Sequence, residues 1–369
     1  MTRRKWLCAS GLALAAACSR KKGSGYPGYA LIATAGDHSI AAVDLTRFEL
    51  AKTIPVGAAP SAVLPGIASK HSYVLTPGNG SVHIVDETLK VIASRKLADE
   101  IAQIRLTSDG KRLLAIARGQ RQLILADPVR LGVIGRYSLG AEPQQFDVSA
   151  SGQVAISSGH GLVELVDLAS ALHTSAQISG TVGQVRFRAD GKLLLATNLS
   201  DRSLSAFNVP GLRLVTVLPV AMRPQNLCFN ADQGQLFLSG EGMDAVAIVF
   251  PYQFEVDQTV LAGRDPGVMG CSVTPPYLFV ASNSGTDVSI LNIDTRKVIG
   301  VVQVGQKPSF ITVTPDSQYA LVLDEQSGDL AVIHVPAIRV NRSKTGASLF
   351  TMLAVGNRPI QGAVVPRII

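Results

Sequence analysis

The chain has 369 residues, of which 47% are apolar and only 17% charged, with a formal net charge of +7 and a mean hydropathy of +0.27. That balance suits strands covered on both faces. Aromatic residues make up 5% of the chain and do not interleave with the basic ones, which excludes a base-stacking nucleic-acid surface.

Residues 1–17 carry a charged start (Arg3, Arg4, Lys5), then a short apolar stretch from Trp6 to Ala17. The stretch is too short to span a bilayer and has the build of an export signal. Ala15, Ala16 and Ala17 precede Cys18, so the segment resembles a bacterial lipoprotein signal with Cys18 as the lipidated residue. TRRKWL also resembles a twin-arginine export signal, with an ordinary Sec signal as the alternative. The resemblance implies a periplasmic protein tethered by its acyl chains, with the outer membrane favoured by Ser19, and no other membrane contact. Removing residues 1–17 would lower the net charge from +7 to +4 and delete the only Trp. Residues 18–28 are expected to form a flexible tether and residues 29–369 a single domain.

That domain is built on a repeat. A short apolar run ends in Asp or Asn at Asp44, Asp86, Asp127, Asp167, Asn208 and Asn292, with Phe250 and His334 in the same place in two degenerate copies. The steps between them are 40 to 42 residues. A second series (Asp109, Asp190, Asp232, Asp316) keeps the same beat. Such a period marks a repeat architecture. Each copy reads as four strands: runs of Val, Ile, Leu, Thr and Ala bounded by Gly, Pro, Asp and Ser. A Pro sits at the entry to the first strand, where no ladder hydrogen bond is lost. No long helical period is present, so almost no helix is expected.

Four antiparallel strands per repeat, eight times over, predict an all-β, eight-bladed propeller, with seven blades as the alternative. Inner strands are expected to begin near Ser61, Ala102, Gln144, Gly183, Gln225, Gly267, Ser309 and Ile360. The first repeat lacks an inner strand, and the C-terminal run 360–366 is an orphan. It should complete the first blade and close the ring, leaving no free edge. Residues 341–349 read as an extra loop in the eighth repeat.

VGAAPSAV, VGQKPSFITVTPDSQYALVL and RADGKLLLATN resemble the YVTN (YncE-like) propeller repeats across residues 30–366. The resemblance implies a propeller that binds something, without naming a ligand. The absence of Trp after residue 17 argues against WD40 and Trp-bearing quinoprotein blades. Cys228 and Cys271 fall on inner strands of adjacent blades at offsets differing by one. This predicts side chains on opposite faces and two buried thiols, with a disulfide as the alternative.

No catalytic or phosphate-loop signature is present. His83 and His334 lie inside strand runs and read as packing residues; His71 and His173 sit beside turns and read as solvated. His38 and His160 stand in loops between second and third strands, in a polar ring with Asn79, Arg118, Asn198, Glu241, Asn283 and Glu325. Opposite blades are too far apart for the two His to share a metal. The crossovers that enter the first strands read AMRP, GRDP, GQKP and GNRP, so Arg223, Arg264, Lys307 and Arg358 come from four consecutive blades. Asp99, Glu100 and Glu142 occupy the other half. One-signed clefts focus field on a ligand. The sequence therefore points to a monomeric binding scaffold for an anionic small molecule, acidic glycan or protein partner, with no nucleic acid, no cofactor, and no enzymatic activity assigned. Two rivals stand. A lactonase-like hydrolase would need Glu241, Asn198 and Asn283 around a divalent metal. A haem d1-type propeller would use His38 or His160.

Overall fold

A computed structural model describes residues 25–67, 69–338 and 348–367. It forms eight four-stranded antiparallel sheets, the blades of an eight-bladed propeller. Among the described residues the only helices are three short 3-10 turns. The inner strands are Pro359–Pro366 for blade 1, then Ala62–Pro65, Ile101–Leu106, Pro143–Val148, Val182–Phe187, Arg223–Phe229, Pro266–Cys271 and Pro308–Val313 for blades 2 to 8. Five of the eight contain the entry Pro at their first or second place.

Blade 1 takes its second, third and outer strands (Gly28–Thr34, Ser39–Asp44, Glu49–Pro55) from the start of the domain and its inner strand from the end. Gly28 to Thr34 pairs along its whole length with Pro359–Pro366, from Gly28↔Pro366 to Thr34↔Pro359. This is the closure that the orphan strand required. Lys307 and Arg358 precede the inner strands of blades 8 and 1, one on each side of the blade 8–blade 1 boundary.

The repeat marker has a local cause. In six of the eight blades an Asp or Asn at the end of the third strand caps the following turn with a side-chain oxygen. Asp44 Oδ1 accepts the N–H of Thr46 at 2.8 Å, Asp127 Oδ1 that of Arg130 at 2.7 Å, and Asn292 Oδ1 that of Thr295 at 2.8 Å. The second series does the same between first and second strands, as Asp232 does for Gly234 at 2.7 Å. Asp and Asn are the residues whose short acceptors mimic a backbone turn.

Blades stack face to back, and the apolar runs follow from that. Second and third strands are buried except at their ends, whereas outer strands are largely exposed and alternate, as Leu214–Pro219 does. The buried apolar residues fall into eight layers, each shared by two neighbouring blades. Phe146, Phe207, Phe237 and Phe279 are fully buried in four of them. Burying one such ring contributes about 1.5–3 kcal/mol.

Three expectations change. Tyr26 is 8% exposed and packs in the blade 8–blade 1 layer, and an added Cβ at Gly25 would collide with the Leu45 carbonyl. Packed residues therefore reach back at least to Gly25, inside the segment expected to be tether. His173 is not merely solvated: its Nε2 meets the buried Glu164 Oε1 at 2.8 Å. Cys228 and Cys271 are both free, yet their sulfurs lie 3.6 Å apart. The offset of one does place them on opposite faces of their own blades. Because blades stack face to back, opposite faces of neighbours look into one layer, and the offset brings the thiols together. The signal, Cys18 and residues 341–347 lie outside the described residues; Leu349, expected to end the extra loop, instead opens the outer strand Leu349–Ala354.

Candidate functional site

The end of the ring that carries the crossovers is held by a repeated hydrogen bond. The first residue after each outer strand donates its N–H to a carbonyl in the loop between second and third strands. Examples are Val56 to His38 at 3.0 Å, Leu97 to Gly80 at 2.9 Å and Ile178 to Gly161 at 3.0 Å. The acceptor often adopts a left-handed conformation, as His38 does at φ 52° and Gly80 at φ 61°. His38 thus holds a turn position that blades 2, 4 and 8 give to Gly. His160, one residue before Gly161, uses its carbonyl to accept Gln177 Nε2 at 2.6 Å. Both His are exposed and sit on different blades.

The four crossover cations are exposed, and three are engaged by carboxylates of the polar ring. Arg223 Nη1 meets Glu241 Oε2 at 3.2 Å. Lys307 Nζ and Arg358 Nε approach the two oxygens of Glu325 at 2.7 and 3.6 Å. Lys307 and Arg358 thus share one acid across the blade boundary. Arg264 stands one residue early: the place before the entry Pro belongs to Asp265 in that blade, and Arg264 contributes a carbonyl to Ser282 Oγ at 2.8 Å. Arg223, Lys307 and Arg358 share the place before the entry Pro, and Glu241 and Glu325 partly offset their charge. Asn198 is buried and caps its own loop through Oδ1, accepting from Ser200 and Asp201 at 3.1 Å each. Among the described residues no three His, Cys, Asp or Glu side chains gather closely enough to hold a metal ion. Of the residues a lactonase-like site would use, Glu241 is engaged by Arg223 and by Gln225 Nε2 at 2.8 Å, and Asn198 by its own loop.

A second group, on the inner strands themselves, was not singled out from the sequence. Arg105, Asp147 and Arg186 occupy the fifth place of the inner strands of blades 3, 4 and 5. Side chains at that place lean toward the next blade. Arg105 Nε donates to the Phe146 carbonyl at 2.8 Å, and Asp147 Oδ2 accepts the Phe187 N–H at 2.9 Å. Two guanidiniums converge on one carboxylate: Asp147 Oδ1 lies 3.6 Å from Arg105 Nη1 and 4.0 Å from Arg186 Nη1. The side chains of Arg105, Arg186 and Asp147 are 27%, 28% and 15% exposed, so solvent screens this group less than the crossover pairs. Burial, and then the neighbouring Arg186, lowers Arg105 to about 10, against the opposing pull of Asp147; it stays protonated at neutral pH. The group opens onto two cavities. One, of about 560 Å³, is lined by Asp147, Arg186, Arg188 and Asp190 with the turns of blades 4 to 6. The other, of about 230 Å³, is lined by Leu64, Ile67, Arg105 and Asp147. Arg188 lines the larger one, paired with Asp190 at 2.6 Å and stacked over Tyr252 at 4.5 Å.

No protein-family profile matches the chain. It is similar to the seven-bladed β-propeller protein Rv1057 of Mycobacterium tuberculosis, at 27% identity over 143 residues, 36% of this chain. The match spans about a third, 35%, of that relative's length. Among solved structures it resembles dihydro-heme d1 dehydrogenase NirN in complex with DHE, with a TM-score of 0.79 and 15% identity, covering 96% of this chain and 78% of that one. It also resembles the hydrazine synthase of Kuenenia stuttgartiensis, with a TM-score of 0.59 and 17% identity over 76% of this chain and 96% of that one. A protein of unknown function from Desulfotomaculum acetoxidans matches with a TM-score of 0.61 and 14% identity over 80% of this chain and 99% of that one. These likenesses establish that the chain is a β-propeller protein and carry the fold alone.

Proposed function

We propose that this propeller is a binding scaffold for an anionic ligand, and that the ligand is held where Arg105 and Arg186 converge on Asp147. The observation that carries the reading is the charge of that group: two half-buried guanidiniums against one carboxylate leave an unbalanced positive charge facing a cavity. Guanidinium forks match carboxylate and phosphate oxygens. A single exposed ion pair contributes only about 0–1 kcal/mol, so a polyanion that engages both arginines gains most from the less screened site. The crossover cations Arg223, Arg264, Lys307 and Arg358 are the second candidate surface, where a ligand would compete with Glu241 and Glu325. His38 and His160 would border it.

The scaffold reading includes membrane tethering through Cys18 in the periplasm, which the build of residues 1–18 supports. Cys18→Ser should then release the protein into the soluble fraction; an unchanged membrane fraction would reject the tether.

The likeness to NirN makes a tetrapyrrole polycarboxylate the first cofactor class to test. Its carboxylates fit Arg105 and Arg186. The inner strands contain no His, and the fit proposed is to the carboxylates. Binding is measured by titrating citrate, inorganic pyrophosphate and mesoporphyrin into the purified chain at low and high salt. A polyanion that binds at low salt, weakens with salt and is lost in the Arg105→Gln, Arg186→Gln double variant supports the proposal. Retention of parental affinity by that variant, with loss in Arg223→Gln, Lys307→Gln instead, would move the site to the crossovers.

A further inference from the structure

The Cys228 and Cys271 pair has no part in the anion site. Cys228 sits on the inner strand of blade 6 opposite Phe237, and Cys271 ends the inner strand of blade 7 opposite Leu278. Phe237 and Leu278 belong to the same apolar layer, and both thiols lie at its edge, half-buried. Their sulfurs are in contact at 3.6 Å, across a boundary that the Ser239 hydroxyl also bridges, donating to the Gly267 carbonyl at 2.6 Å. A disulfide needs about 2.05 Å between sulfurs, so closing the bond takes an approach of about 1.5 Å, within reach of side-chain rotation and a small strand shift.

We propose that Cys228 and Cys271 form a redox-active dithiol that oxidises to a disulfide joining blade 6 to blade 7, by exchange with a disulfide-bearing oxidant. The Cys228 thiolate attacks one sulfur of the oxidant, R–S–S–R. The oxidant's S–S bond breaks, one R–SH leaves after taking up a proton, and Cys228 carries a mixed disulfide. Cys271 then loses its proton and attacks the Cys228 sulfur, releasing the second R–SH. Two thiols are oxidised and one disulfide is reduced by two electrons.

The surroundings assign the order of attack. The hydrogen bond from the Cys271 thiol lowers the Cys228 pKa, and the Arg186 guanidinium adds to this against the cost of burial. Cys271, as donor in that hydrogen bond and buried beside a negative sulfur, is pushed up. The thiolate is the attacking species, so Cys228 is the nucleophile and Cys271 the resolving thiol.

The test incubates the folded full-length chain in glutathione buffers from fully reduced to strongly oxidising, blocks free thiols with N-ethylmaleimide, and digests with trypsin. Cys228 and Cys271 fall in separate tryptic peptides, 214–264 and 265–296, and Cys8 and Cys18 in neither. A linked pair of these two peptides at the oxidising end, with loss of both labels, is the expected result. Cys271→Ser should accumulate a glutathione adduct on Cys228, about tenfold more than Cys228→Ser accumulates on Cys271. Full labelling of both thiols in the most oxidising buffer would overturn the proposal. So would protection of both thiols from label and oxidant alike until denaturant is added. An adduct ratio reversed between the two serine variants would overturn the assignment of the nucleophile.

Discussion

The Asp147 carboxylate accepts the backbone N–H of Phe187 at 2.9 Å, and so crosses from blade 4 to blade 5. The same carboxylate faces Arg105 and Arg186 through its other oxygen. One side chain thus holds a backbone donor and sets the local charge, and two substitutions separate these roles. Asp147→Asn keeps an acceptor for Phe187 and removes the negative charge. It should leave urea stability within about 1 kcal/mol of the parent while tightening polyanion binding severalfold at low salt. Asp147→Ala also strands the N–H, and an unsatisfied buried donor costs about 1–3 kcal/mol. Equal urea midpoints for Asn and Ala would show that the Phe187 contact contributes nothing.

The turn caps give a local prediction. Asp167 Oδ1 accepts the N–H groups of Ala169 and Ser170 at 2.9 and 3.0 Å. The Ser170 bond, then the Ala169 bond, holds the carboxyl below the usual range. Asp167→Ala should cost about 1 kcal/mol at neutral pH, the size of a lost side-chain cap. A carboxyl with a depressed folded pKa adds stability above its unfolded pKa and loses it as the pH falls through the folded one. The gap between parent and variant should therefore close below about pH 4. A gap that persists at pH 2.5 would mean that shape, and not charge, sets the effect.

Asp324 has the opposite sign. It is fully buried at the end of the second strand of blade 8; Oδ2 accepts the Gly305 N–H at 2.9 Å, and Oδ1 has no hydrogen-bond partner. Burial, with Asp329 adding a smaller push, raises its pKa to about 7. The folded state keeps this proton where the unfolded chain releases it, so stability falls as the pH rises from about 4 to about 7 and is flat above. Blade 5 places Asn198 at the equivalent position, where its Nδ2 donates to the Ser179 carbonyl at 2.6 Å. Asp324→Asn should remove the decline and stabilise the protein at pH 8 by on the order of 2 kcal/mol. Parallel melting-temperature profiles for parent and variant between pH 4.5 and 8 would refute this.

The fold was legible because its marker is local chemistry. A capping Asp or Asn writes itself into the sequence every 40 to 42 residues, and the entry Pro fixes the start of the inner strand. The site was less legible because it depends on how blades stack. Arg105, Asp147 and Arg186 recur 42 and 39 residues apart, yet one charge in an apolar run reads as a solvated face until the lean toward the next blade is known. The same stacking turned the one-residue offset of Cys228 and Cys271 from a separation into a contact. At the crossovers the pattern of basic residues was visible, but not the Glu325 carboxylate shared by Lys307 and Arg358. In GRDP the basic residue takes the first of the two places between Gly and Pro, which puts Arg264 one place away from the register of the others.

Ring closure yields the largest predicted effect. The strand Pro359–Pro366 pairs with Gly28–Thr34, and its Ala363 packs in the blade 1–blade 2 layer. Its Gln361 reaches the neighbouring blade, accepting the Val63 N–H through Oε1 and donating to the Val63 carbonyl at 3.3 Å through Nε2. A glutamine amide here stands in for a missing strand neighbour. Gln361→Ala should strand both Val63 groups and cost about 1–3 kcal/mol. Truncation after Asn357 removes the whole inner strand, exposes the ladder edge of Gly28–Thr34 and opens the apolar layers on both sides of blade 1. An unpaired edge beside exposed apolar surface is an aggregation template. The truncated chain should lose its cooperative melt or melt at least about 10 °C below the parent, a shift several times that of one lost contact. A truncated protein that stays monomeric and melts with the parent would show that the ring does not depend on its last strand, whereas a fall no larger than that of Gln361→Ala would confine the strand's role to the Val63 bridge.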